Sequence, residues 1–143
     1  MVKTIEKLML EEHKRLDKFL DDLERDLDDY EKTKKNFDCL KWNLEKHFFV
    51  EEKVIFDSFV VISGQETNDT FHLLEDHGKI IRLLKSIEGQ LRGKIKPQLH
   101  NLKRILSTHR RFEDEDFYPS LDERLTLEQK EKISERIKEI IPC

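Results

Sequence analysis

Glycine and proline are scarce in this chain, four and three among 143 residues. Strands joined by tight turns are therefore not expected. Cysteine is scarcer still: Cys39 and Cys143 are too few and too far apart for a disulfide framework or a zinc knuckle, which fits a reducing compartment. No long hydrophobic run occurs. The longest, such as Phe59 to Ile62, fall far short of the roughly 20 residues that span a bilayer. Glu6 interrupts "MVKTIEKLML" where a signal peptide would be apolar, and a cytoplasmic protein is expected. An excess of one charge is also missing. The net −4 arises from 31 acidic and 27 basic residues interspersed along the chain, so no basic face stands out to track a phosphate backbone, and nucleic acid is not an expected partner. Neither a phosphate-binding glycine loop nor a Ser/His/Asp constellation is present.

What is there is helical periodicity. Charged residues make up 41% and hydrophobic residues 36%, a balance suited to amphipathic helices with charged outer faces. Ile5, Met9, Leu16, Leu20, Leu23 and Leu27 recur at steps of three and four, with His13 filling the gap in the stripe. A second segment reads Phe37, Leu40, Leu44, His47, Glu51, Ile55, and "SGQETND" (Ser63 to Asp69) breaks the pattern as a loop. A third carries Leu73, His77, Ile80, Leu84, Ile87 and Leu91 and ends near Gly93. The fourth starts around Pro97, runs through Leu99, Leu102, Leu106, His109 and Glu113, and is closed by Pro119. Thr126 and Gln129 form a capping-box signature before a fifth segment with Ile133, Ile137 and Ile140.

"LEEHKRLDKFLDDLE" from Leu10 and "LEDHGKIIRLLKSIE" from Leu74 align without gaps, placing His13 on His77, Leu16 on Ile80 and Leu20 on Leu84. With the His47 and His109 motifs, the chain reads as two copies of a helical hairpin. The expected fold is all-α: an antiparallel up-down four-helix bundle over about 3–118 with a short C-terminal fifth helix over about 126–141, in a single domain, 1–143.

Six polar residues occupy positions that periodicity assigns to the core: His13, His47, Glu51, His77, His109 and Glu113. At about 1.5 Å per residue, His13 and His77 lie roughly 15 Å from one end of such a bundle, and His47 and His109 roughly 14 to 20 Å from the same end. All six fall in one layer. A histidine and a glutamate four residues later share a helix face, so each His-x-x-x-Glu motif can deliver an imidazole and a carboxylate to one point. A lone histidine on an apolar face is ordinarily a satisfied core residue, and a metal-free network of ion pairs is the competing reading of the set. Two buried carboxylates would then cost several kcal/mol unless paired or neutralised. Imidazole and carboxylate together favour iron, manganese or zinc over calcium, and two carboxylates able to bridge favour a dinuclear site.

The other conspicuous residues read as structural. His72 and His100 are rotated off the ligand face and expected in solvent. Asp17 and Asp116 are placed to hold an imidazole N–H or add a ligand, although exposed helix charge is the simpler role. Trp42, Phe48 and Phe49 are expected to pack helices together, and Glu11, Glu12, Glu52, Glu75 and Asp114 to belong to charged outer faces.

At this point the chain resembles the hemerythrin-like family, the HHE cation-binding domain, whose pattern is a His on helix one, His-x-x-x-Glu on helix two, a His on helix three and His-x-x-x-Glu on helix four. The matching stretches are "EEH" (His13), "HFFVE" (His47, Glu51), "EDH" (His77) and "HRRFE" (His109, Glu113), with "FYP" similar to the close of the last motif. The resemblance spans residues 5 to 120. It implies two iron ions bridged by Glu51, Glu113 and an oxo or hydroxo group, with O₂, NO or peroxide as a small ligand. Two departures set the chain apart from typical oxygen carriers: Leu73 stands where they have a further histidine, and Glu113 where they use aspartate. The resulting four-histidine, two-glutamate set resembles that of the bacterial repair-of-iron-centres proteins. The resemblance thus implies a small-ligand-binding protein. Its alternatives are a stress-defence enzyme that turns over peroxide or NO or donates iron for repair, and an iron- or oxygen-responsive regulatory module.

Overall fold

The apolar stripes become helices in a computed structural model that describes residues 5–58 and 68–140, with no strand among the described residues. Helix α1 (Ile5–Arg25) buries Ile5, Leu8, Met9, Leu16 and Leu23, and with them Glu12 and His13. Its first free amides are capped from the far end of the chain. Asp122 accepts hydrogen bonds from the backbone N–H of Ile5 at 3.2 Å and of Glu6 at 3.0 Å, placing a carboxylate on the positive end of the helix.

Asp29 starts α2 (Tyr30–Val50) by accepting from the Lys32 amide at 3.1 Å. The helix continues directly into a π-helical turn, Glu51–Phe56, in which the Asp57 amide reaches back to the Glu52 carbonyl. The widened turn buries three consecutive residues, Val54, Ile55 and Phe56. The loop expected over Ser63 to Asp69 lies largely outside the described residues, as do Phe59 to Ile62. Its last two residues are helical, because α3 (Asn68–Arg92) begins at Asn68. That helix ends in a Schellman motif: Ile95 N–H bonds to Gln90 O at 2.8 Å and Lys94 N–H to Leu91 O at 3.0 Å. The residue in the left-handed conformation is Lys94, at φ 56°, and not the neighbouring Gly93.

The fourth rod departs from the sequence reading at both ends. Helix α4 (His100–Phe112) starts three residues after Pro97, with Leu99 at its N-cap. Pro119 does not close it. A second π-helical turn, Glu113–Phe117, carries the chain into α5 (Tyr118–Arg124), and Pro119 falls in the first turn of α5. The Thr126–Gln129 capping box forms as expected, with reciprocal bonds of 2.9 and 3.2 Å, and opens α6 (Leu127–Ile140).

The apolar side chains gather into two clusters. One holds Ile5, Met9, Val54, Ile55, Leu73, Tyr118 and Leu121, with Ile133 and Ile137 of α6 closing over it. The other holds Leu16, Leu23, Phe37, Leu40, Leu44, Ile80, Leu84 and Leu102. Each fully buried Leu, Ile or Phe contributes about 1.5 to 3 kcal/mol. No described helix is long and apolar enough to cross a membrane.

Candidate metal centre

All six of the inward polar residues are buried, with Glu51 and Glu113 fully so. The two glutamates occupy equivalent places, each the first residue of a π-helical turn that directly follows a histidine-bearing helix. Each carboxylate presents Oε1 to two imidazoles. Glu51 Oε1 lies 3.0 Å from His47 Nε2 and 3.3 Å from His77 Nε2; Glu113 Oε1 lies 3.3 Å from His13 Nε2 and 3.4 Å from His109 Nε2. The rings pair as His13 with His47 and His77 with His109, each at 5.0 Å between centroids.

These approaches are close but poorly aligned for hydrogen bonding. Oε1 of both glutamates and Nε2 of His77 and His109 have no hydrogen-bond partner. Orphaned buried polar atoms of this kind are rare, because each carries a desolvation cost of about 1 to 3 kcal/mol or more. The residues that carry these four atoms form one group, Glu51, His77, His109 and Glu113, and His13, His47 and Glu113 form another, with candidate ligand atoms within 4.8 Å in each. Lone pairs converging on common points, on a donor set of imidazole and carboxylate, are what a divalent metal requires.

The opposite nitrogen of three imidazoles is held by a carboxylate. His13 Nδ1–H donates to Asp114 at 2.9 Å, His77 Nδ1–H to Glu52 at 2.9 Å and His109 Nδ1–H to Asp76 at 3.0 Å. With Nδ1 carrying the proton, Nε2 is left as the metal-facing lone pair. His47 is the exception. Its Nδ1 lies 3.9 Å from Glu12, whose carboxylate is engaged instead by Arg15 at 2.8 and 3.1 Å.

Sequence reasoning missed these outer carboxylates, having placed Glu12, Glu52 and Asp114 on solvated faces. Asp17 and Asp116, the residues it offered for this role, do not fill it: Asp17 pairs with Arg110, and Asp116 is exposed. His72 and His100 are exposed, as expected. Of the aromatics expected to pack helices and not to line a ligand pocket, Phe48 is buried and stacks on His77 at 4.0 Å but also lines the cleft beside the site, whereas Trp42 and Phe49 are 67% and 53% exposed.

Tyr118, at no exposure, completes the site. Its hydroxyl donates to Glu51 Oε2 and lies 3.2 Å from Glu113 Oε2, tying the two carboxylates together on the side away from the histidines. Burial first, and then the Glu51 charge, push the phenol well above its ordinary value, so it stays a donor. Burial pushes the Glu51 carboxyl up, but His47 and His77 beside it outweigh that and hold it well below the usual carboxylate range. For His77, burial favours the neutral ring, yet Glu51 and Glu52 raise it to about 9. His109 goes the other way, lowered mainly by burial.

A family model described as the Hemerythrin HHE cation binding domain matches residues 4–139. No curated protein and no solved structure matches the chain. With the match running nearly end to end and a buried His/Glu cluster fit to bind metal at its centre, the chain belongs to the hemerythrin HHE cation-binding family.

Proposed function

We propose that this chain is a single-domain, non-heme di-iron protein that binds O₂, NO or peroxide at its metal pair, inside an antiparallel up-down four-helix bundle. The observation that carries the reading is the pair of buried glutamate oxygens, each flanked by two imidazole Nε2 atoms and, like Nε2 of His77 and His109, left without a hydrogen bond. His77 and His109 would hold one ion, His13 and His47 the other, with Glu51 and Glu113 shared between them.

Bound iron would supply the open positions and the redox electrons that small-ligand chemistry needs. The chain's own residues do the rest. Asp114, Glu52 and Asp76 fix the tautomer and tilt of three rings, and Tyr118 holds the two carboxylates in register. Four imidazoles and two carboxylates are too few donors to saturate two six-coordinate ions, which is why a small ligand is part of the proposal.

Elemental analysis of the purified chain tests it. About two irons per chain are expected, with Glu51→Ala and Glu113→Ala each lowering the content sharply. Full iron occupancy in both variants, or no metal after anaerobic reconstitution with ferrous iron, would sink the assignment.

A further inference from the structure

The centre opens on a cleft far larger than a diatomic ligand needs. It runs between α1 and α4 over a floor formed by α2, is open to one side, and offers about 330 Å³ including the space beside His13, His47, His109 and Glu113 that metal would take. One water or one diatomic molecule needs roughly 30 Å³, and an apolar cavity of about 150 Å³ admits benzene. Even less the share that metals and a small ligand would take, about 330 Å³ leaves more room than the benzene case and approaches the small end of pockets that hold organic ligands.

Its walls are apolar and its inner end is not. Leu16 and Leu20 of α1, Leu40, Leu44 and Phe48 of α2 and Leu106 of α4 line the body, while His13, His47, His109 and Glu113 close the bottom. Two ion pairs joining α1 to α4 also line the cleft, Asp17 with Arg110 and Glu24 with Lys103, the latter at 2.8 Å. Asp21 also lines it, so three carboxylates face two cations, both of them already paired. Nothing there recruits an anion, and the excess of carboxylate disfavours one.

We propose that this cleft is a binding site for a neutral, apolar organic molecule of about bicyclic size, held by the leucines and Phe48 with one edge against His13 and His109. The site would then take two ligands side by side, the small one at the metals and the organic one in the cleft.

Indole, neutral and bicyclic, is the probe, titrated calorimetrically into the full chain as purified, with metal content measured on the same sample. We expect saturable binding with Kd on the order of 0.1 to 1 mM. Leu106→Trp, which fills the cleft from α4, should weaken it at least tenfold, and Leu20→Phe, which narrows it from α1, should weaken it as well. Leu127→Trp on the exposed face of α6 should leave it unchanged. Circular dichroism establishes that each variant is folded. Absence of saturable binding in the parent chain, or affinity unaltered in both cleft variants, overturns the proposal. Because binding is scored by heat and metal by elemental analysis, loss of the metal assignment and loss of the cleft ligand are separate results.

Discussion

Replacing Tyr118 by phenylalanine removes one oxygen atom from the interior and little else, since the ring fits the same space. That oxygen is the donor to Glu51 Oε2 and lies 3.2 Å from Glu113 Oε2, and none of the three residues is exposed to water. A hydrogen bond to a charged group is worth about 1.5 to 3 kcal/mol, and here no solvent can replace it. The metal-free variant should therefore lose about 1.5 to 3 kcal/mol, a factor of roughly ten to more than a hundred in the folding equilibrium. For a chain of this length that corresponds to roughly 3 to 12 °C in Tm. Urea denaturation of chelator-treated Tyr118→Phe beside the parent measures it. The same variant should hold iron about 10- to 100-fold more weakly, because the carboxylates lose the group that orients them. A metal-free stability within about 0.5 kcal/mol of the parent, the ordinary scatter of a neutral surface change, would refute the reasoning. Tyr118 would then be packing and not a clamp.

Asp114→Asn, Glu52→Gln and Asp76→Asn should each lower metal affinity about 10- to 100-fold by releasing one imidazole, as read by competition with a chelator. Asp116→Asn, changing an exposed charge of the same helical turn, should leave affinity unaltered, and equal losses in all four would show that general charge is being measured. Lys94→Gly should raise stability by about 1 kcal/mol, since the left-handed residue that ends α3 costs roughly 1 to 2 kcal/mol with a side chain; a lower denaturation midpoint would contradict it. Asp122→Ala should destabilise by about 1.5 to 3 kcal/mol, because two amides at the start of α1 lose a charged acceptor. Hydrogen exchange should then speed up first in α1, and unchanged protection there would dismiss the cap.

Sequence made the inward positions legible because a single period of 3.6 governs each helix as far as its ligand. His13, His47, His77 and His109 interrupt apolar stripes, and all are buried. Past Glu51 and Glu113 the period fails, since the π-helical turns add a residue and bring Val54, Ile55 and Phe56 inward together. The same limit hid the outer carboxylates. Glu52 and Asp114 follow the ligand glutamates by one residue and look rotated outward on their own helices, yet they hold His77 and His13 on other helices. A signal for them did exist. Acids precede His13 and His77 at Glu12 and Asp76 and follow Glu51 and Glu113 at Glu52 and Asp114, so the adjacency repeats in both halves of the chain. What one sequence does not convey is that the repeat is imperfect in space. Asp76 reaches its imidazole at 3.0 Å, whereas Arg15 draws Glu12 away and leaves His47 at 3.9 Å.

The polar layer has a consequence beyond ligand binding, because it separates the two apolar clusters. Each of the four helical rods that supply the six residues runs through both, so the chain has two centres of hydrophobic stabilisation joined by a plane of buried polar groups. Such a plane is where a protein divides into units that open independently. Were the six side chains fastened to shared ions, the two ends would be expected to melt together, whereas without cations the end built around α5 and α6 would be expected to open first; hydrogen exchange on chelated and metal-loaded protein reads the difference. Metal would thus decide whether this chain behaves as one cooperative body or as two.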